Sequence, residues 1–252
     1  MFPLKDSIPT DRFPVVTVAL ILANVVAFFL SLRDGGDLWN GPSPTFLYDW
    51  GFIPYEASHL GDQCVVQGDQ VGCGDVSGQP SLVVTAFSSM FLHGGLLHIG
   101  GNMLFLWVFG NNVEDSMGRV TFLAFYLLAG LAALVGQYLV GSGETVPLVG
   151  ASGAVAGVLG GYLVLYPRAR VVTLVFIILF VTILELPALF FLGFWFLQQI
   201  AFGYFDLVGS AGDAGGVAYF AHIGGFVFGA LLVKVFATRV SGGADRGRRP
   251  VY

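Results

Sequence analysis

Charge is what this sequence has least of. Only 11 % of its 252 residues are Asp, Glu, Lys or Arg, against roughly 25 % in an ordinary soluble domain. With 56 % hydrophobic residues, the chain cannot coat itself with solvated groups. A soluble domain is therefore excluded and a polytopic membrane protein is expected. The few basic residues form no patch interleaved with aromatics, and the formal net charge is -5, so no nucleic-acid partner is expected. Cysteine is scarce too. Cys64 and Cys73, with only His59 nearby, fall short of the four ligands a structural zinc wants, and neither a metal nor another cofactor is expected. The first apolar run follows Lys5 and Arg12 and ends in Ser-Leu-Arg-Asp at 31–34 with no small-residue cleavage site, which reads as an uncleaved anchor. There is no internal repeat.

What is present is a series of apolar runs at about 14–32, 96–113, 120–140, 152–167, 186–205 and 217–237. Each lies near the ~20 residues needed to cross the hydrocarbon, the fourth being shorter. The 36 glycines suit membrane helices whose backbones approach closely. The expectation is an all-α membrane protein, a six-transmembrane-helix bundle forming a single domain over 1–237. A polar outer loop of about 33–90 ends in an apolar stretch, Leu82 to Leu92, expected to lie in the interface. A basic, disordered tail is expected over 238–252. With the N-terminus inside, Lys5, Arg12, Arg119, Arg168, Arg170, Lys234, Arg239, Arg246, Arg248 and Arg249 all fall on the cytoplasmic side and only Arg33 falls outside. That asymmetry predicts a multi-pass protein of the plasma (inner) membrane with both termini cytoplasmic. The segment Val171 to Leu184 is apolar but short and β-branched. A span there would put the Arg-rich tail outside, so it is read as an apolar stretch buried at the inner interface. Cys64 and Cys73, in the outer loop, are placed for a disulfide.

Polar groups inside apolar runs are costly and mark function. The second run holds His98 and Asn102, the fourth opens on Gly150-Ala-Ser152-Gly153, and the sixth holds His222. These three runs cross in the same direction, so His98, Ser152 and His222 lie at one depth. Fifteen residues separate Ser152 from the Tyr166 boundary inclusively, about 22 Å of helix. That puts the serine roughly 8 Å below the outer face of a ~30 Å hydrocarbon layer. It also sits at a helix N-terminus, where free N–H groups favour developing negative charge. Stripes of Ser152, Ala156 and Gly160 on one helix and His222, Gly225 and Gly229 on the other predict facing small residues that bring serine and histidine together. His98 and Asn102, four apart, share a face and form a donor pair of the kind an oxyanion hole needs. Glu114, Asp115 and Arg119 read as a structural helix-end cluster, and the aromatic stretch Phe190 to Phe196 as lipid-facing.

Gly150-Ala-Ser152-Gly153, Ala221-His222-Ile-Gly-Gly225 followed by Gly229, and His93-Gly-Gly-Leu-Leu-His98-Ile-Gly-Gly-Asn102 together resemble the rhomboid intramembrane serine proteases, over about 14–237. The resemblance implies a six-helix bundle and serine endopeptidase activity through a Ser152–His222 dyad. It implies an oxyanion held by His98, Asn102 and the Ser152 N–H, supporting roles for Gly150, Gly153, Gly225 and Gly229, and a structural or water-handling His93. It further implies single-span membrane-protein substrates met within the lipid bilayer, and a fifth span that opens sideways. Two departures stand out. Ala156 occupies a position where the family often has a tyrosine stacking under the histidine, and Val84-Thr85 falls where the family has a Trp-Arg pair. A catalytically inactive rhomboid-like membrane chaperone and a transporter are the alternatives. Retention of both Ser152 and His222 argues against the first. The clustering of polar residues at one depth argues against a path through the whole bilayer.

Overall fold

A computed structural model of the chain describes residues 1–68, 70–177, 180–208 and 217–240. In chain order it has strand β1 (Phe2–Asp6), helix α1 (Val15–Ser31), short helices α2 (Pro44–Trp50) and α3 (Pro54–Ser58), hairpin strands β2 (Gln63–Gln67) and β3 (Gln70–Gly74), and helices α4 (Leu82–Ser88), α5 (Leu96–Met117), α6 (Arg119–Gly141) and α7 (Ser152–Leu165). Strands β4 (Arg170–Ile177) and β5 (Phe180–Pro187) then lead to helices α8 (Ala188–Val208) and α9 (Tyr219–Phe236). Four helical segments, 15–34, 119–141, 188–208 and 219–236, are long and apolar enough to cross a membrane. The stretch 82–91 and α5 together make a fifth, bent by 83° at the break between them. The apolar end of the 33–90 loop thus turns sharply away from the helix it feeds, as a segment lying in the interface would.

Helix α7 is the axis of the bundle. Every residue from Gly153 to Tyr162 is buried, and its small residues explain how a helix can be enclosed on all sides. A Cβ on Gly160 would lie 3.0 Å from the Ala230 nitrogen, and one on Gly229 would lie 2.6 Å from the Gly157 carbonyl carbon. Helices α7 and α9 therefore touch backbone to backbone. Between α6 and α9 a Cβ on Gly136 would come within 3.0 Å of the Gly224 Cα. Away from the glycine seams the core is aromatic, with Phe109, Phe122, Phe125, Tyr126 and Tyr162 fully enclosed.

At the end of the bundle remote from Ser152, polar groups tie the chain together. Glu114 accepts from the Val16 and Thr17 backbone N–H groups at 3.0 and 2.7 Å and from the Thr17 hydroxyl at 2.8 Å. It thereby satisfies first-turn donors that α1 leaves free. Asp115 pairs with Arg239, whose Nε also donates to the Asp115 carbonyl at 2.9 Å. Thr238 and Arg239 donate their backbone N–H groups to Ser116. The packed chain so continues past residue 237 to at least Arg239, two residues into what the sequence assigns to the tail, and 241–252 lie outside the described residues.

Three expectations need correction. The chain is mostly helical but not all-α. β1, β4 and β5 form an antiparallel sheet in that order, and β2 and β3 form a hairpin. The described residues of the 171–184 stretch lie in the paired strands β4 and β5, and they are largely not buried. Val171 and Thr173 are enclosed, whereas Phe176, Phe180, Val181 and Ile183 are more than half exposed. Its run of Val, Ile and Thr favours a pleated ribbon over a helix, and a strand has two faces, of which the core takes one. The aromatic stretch 190–196 is likewise split. Phe190 and Phe194 face outward, but Phe191 and Leu192 are buried and Phe191 stacks on Phe105 and Phe109.

Candidate active site

The segment before α7 fixes where the serine sits. Phe52 and Leu148 exchange backbone hydrogen bonds, and the Gly150 N–H donates to the Ser89 carbonyl at 2.8 Å. The Ala151 N–H donates to Nε2 of the fully buried His93 at 3.4 Å. Gly150 has φ +126, a backbone state that disfavours any side chain. The chain then enters α7 at Ser152, and no side chain caps the helix. Its first-turn N–H groups are left for another acceptor.

From α9, His222 meets this terminus. Its Nε2 lies 2.8 Å from Ser152 Oγ, and both residues are half-buried, within reach of a ligand. The pairing of small residues beneath them differs from the sequence expectation. Gly225 packs on Gly153 and Gly157, Gly229 on Gly157, and Gly160 on Phe226 and Ala230. The seam therefore runs along Gly153, Gly157 and Gly160. Ala156 is buried beside it, and Ser152 reaches His222 from its edge.

His98 and Asn102, one turn apart on α5, complete the cluster. The His98 Nδ1 accepts from the Gly94 N–H at 3.3 Å, and its ring meets the His93 ring edge-on at 5.1 Å. Gly150 reveals where the other His98 nitrogen stands. A Cβ at that position would lie 2.8 Å from His98 Nε2 and 3.5 Å from Ser152 Oγ. The position is too tight for any side chain, and it brings His98 Nε2 and Ser152 Oγ close to the same point of the backbone. A donor and a nucleophile gathered in this way are what an oxyanion site needs. Asn102 is buried, and its Nδ2 finds no acceptor among the described residues, an unused donor on the same face as His98.

The sequence did not single out Gln199. This residue of α8 is 8 % exposed, and its Oε1 lies 2.8 Å from His222 Nδ1. Trp195, one turn earlier, packs its ring against the imidazole with centroids 5.9 Å apart. The available signal was the amide pair Gln198-Gln199 in the middle of an apolar run, as costly there as the histidines elsewhere. Asp206, further along α8, is exposed, and Asp213 lies outside the described residues. Far from the cluster in sequence, Cys64 and Cys73 face each other across β2 and β3 and are joined by a disulfide.

The model of the rhomboid domain matches residues 80–239. The chain belongs to the rhomboid family. Among its relatives, a yeast protein named rhomboid protein 1, mitochondrial (Saccharomyces cerevisiae) is 32 % identical over 159 residues, covering 59 % of this chain and 40 % of that protein. The human presenilin-associated rhomboid-like protein, mitochondrial (Homo sapiens) is 32 % identical over 150 residues, covering 58 % and 36 %. RHOMBOID-like protein 1 of Arabidopsis thaliana is 29 % identical over 241 residues, covering 90 % and 54 %. The matched region thus spans about a third to a half of these relatives' lengths. The matched domain runs from α4 to just past α9 and contains Ser152, His222, His98, Asn102 and Gln199. This rhomboid chain is an integral membrane protein.

Proposed function

We propose that this rhomboid is an intramembrane serine endopeptidase that cuts single-span membrane proteins in or near their transmembrane segments. The observation that carries the reading is the 2.8 Å contact between Ser152 Oγ and His222 Nε2 at the start of a buried helix. A serine hydroxyl needs a neighbouring base to become a nucleophile, and an imidazole nitrogen in hydrogen-bond reach supplies it. His222 takes the Ser152 proton as Oγ bonds to the substrate carbonyl carbon. The negative charge that develops on the carbonyl oxygen is met by donors from His98, Asn102 and the Ser152 N–H. His222 returns the proton to the amide nitrogen as the C–N bond breaks. Water, deprotonated by the same imidazole, then releases the acyl group.

In this reading the chain crosses the bilayer six times, by α1, α5, α6, α7, α8 and α9, as one domain over 1–237. α7 is a short central span of about 21 Å reached by water from the outer side. Both termini are cytoplasmic. Supporting this, Asp11, Asp115 and Arg239 gather at the end of the bundle remote from Ser152, together with the sheet that contains Lys5 and Arg170. We assign the protein to the plasma (inner) membrane. Two of its relatives carry the word mitochondrial in their names, and fractionation of the native cells decides between the compartments.

The test is incubation in detergent with a tagged single-span substrate, beside labelling with a fluorophosphonate. Wild type is expected to cut and to be labelled, and Ser152→Ala to do neither. A wild type that binds substrate but neither cuts nor labels would favour the chaperone reading. Cutting by Ser152→Ala would remove the serine mechanism altogether.

A further inference from the structure

His222 has two side-chain partners among the described residues, and the second comes from a helix that carries neither the serine nor the histidine. Gln199 Oε1 stands 2.8 Å from His222 Nδ1, and Gln199 Nε2 stands 3.4 Å from the Trp195 carbonyl oxygen. The carbonyl can only accept, so the amide must turn its NH2 toward it. A reversed amide would set oxygen against oxygen. The end of Gln199 that faces the histidine is therefore the acceptor, and Nδ1 of the imidazole must carry the proton. Nε2 is left with its lone pair directed at Ser152 Oγ, the form a general base requires. Ala156 offers no ring to the imidazole, whereas Trp195, one turn before Gln199 on α8, packs its ring against it.

We propose that Gln199 is the positioning residue of this site: it holds His222 in the Nδ1–H tautomer, and because it is borne by α8, the base is correctly set only when α8 is docked against α9. This inference rests on the serine-protease reading. With the amide set by the Trp195 carbonyl, the chain Trp195 carbonyl, Gln199 amide, His222 imidazole, Ser152 hydroxyl runs in one proton direction. Its last donor, the serine, is the group that must lose its proton.

Two measurements test it. The first compares Gln199→Leu and Gln199→Glu with wild type for cleavage of the tagged substrate, alongside Ser152→Ala. If Gln199 acts through its acceptor oxygen, Gln199→Leu loses roughly 10- to 100-fold in kcat, the cost of leaving a buried partner unpaired, with little change in KM. Gln199→Glu, which keeps an acceptor at the same reach, recovers most of that loss. Its negative charge also favours the imidazolium, so the acid limb of its kcat/KM profile moves to higher pH. A residue that merely packs gives the opposite order, Leu tolerated and Glu worst, and that order overturns the proposal. The second measurement needs no variant at position 199. 15N spectra of histidine-labelled wild type, with the His222 signals assigned by their loss in His222→Ala, report which ring nitrogen bears the proton. Protonated Nδ1 is expected, and protonated Nε2 overturns the assignment even if every Gln199 variant misfolds. If Gln199→Leu cuts at the wild-type rate while Ser152→Ala is dead, this inference fails and the serine mechanism stands. If Ser152→Ala cuts, the mechanism itself has failed.

Discussion

Gly229 lies seven residues beyond His222, about 10 Å along α9, and touches no reacting group, yet replacing it with alanine should disable the site. A Cβ there would lie 2.6 Å from the Gly157 carbonyl carbon and 2.9 Å from its Cα. Carbon atoms in van der Waals contact sit about 3.5–4.0 Å apart. The obstacle is backbone, with no rotamer to rotate away, so α7 and α9 must separate by about 1 Å to restore ordinary contact. If they part as rods, the 2.8 Å Ser152–His222 contact stretches beyond the ~3.2 Å limit of a good hydrogen bond. A misplacement of that size costs on the order of 10²-fold in rate, and overpacking typically removes about 1–3 kcal/mol of stability. The assay is turnover of the tagged substrate per folded molecule, with thermal unfolding in the same detergent. Gly193→Ala serves as the control, because a Cβ at that position on α8 meets nothing within 4 Å and should leave both quantities at wild-type level. A Gly229→Ala protein with wild-type rate and melting temperature would refute the claim that backbone contact between α7 and α9 sets the dyad distance.

His98→Ala and Asn102→Ala should each lower turnover by about 10²–10³-fold while the protein stays folded, and a wild-type rate in either variant removes that residue from the oxyanion site. Cys64→Ala/Cys73→Ala should still cut, since the disulfide staples the β2–β3 hairpin and not the bundle. It should lose on the order of 2–3 kcal/mol of stability, and complete loss of activity in a folded double variant would show that the hairpin shapes the site. Asp6 accepts from Asn112 Nδ2 at 2.6 Å and from the Tyr162 hydroxyl, and burial pushes its carboxyl up to about 6. The native state then binds this proton more tightly than the unfolded chain, so stability falls as pH rises from about 4 to about 6 and slightly beyond. Thermal unfolding should accordingly show about 1 kcal/mol less stability at pH 7.5 than at pH 5 from this group. A difference of the same size in Asp6→Asn would assign it to other residues.

The parts of this molecule that could be read from sequence are those where a residue type is expensive in its surroundings. A serine, two histidines and an asparagine in apolar runs of common direction are such cases, and the structure brings His222 to Ser152 and sets His98 across Gly150 from it. The register beneath them was less legible. A stripe taken at four-residue steps drifts by about 40° each turn on a helix of 3.6 residues per turn. The positions where the α7 backbone approaches that of α9 are consequently Gly153, Gly157 and Gly160. The β4–β5 hairpin is hard to read from sequence for a different reason. Apolar composition fixes neither burial nor secondary structure in a segment that lipid or interface can solvate, and only its β-branched content hinted at strands.

Gln199 marks the deeper limit. Glutamine in a membrane helix is as informative as histidine, but Gln198 and Gln199 are adjacent and point about 100° apart, and α8 alone does not say which face meets α9. The partner that decides it is 23 residues away across residues 209–216, with the Trp195 carbonyl setting the direction of the amide. On the proposed mechanism each feature that orients the base is a relation between helices: the α7–α9 seam sets the distance, and α8 sets the tautomer. Serine and histidine could be recognised one helix at a time because their cost is local. What makes them a reactive pair is a three-helix property, and that is why substitutions at Gly229 and Gln199, neither of which touches a substrate bond, carry the sharpest tests of the site.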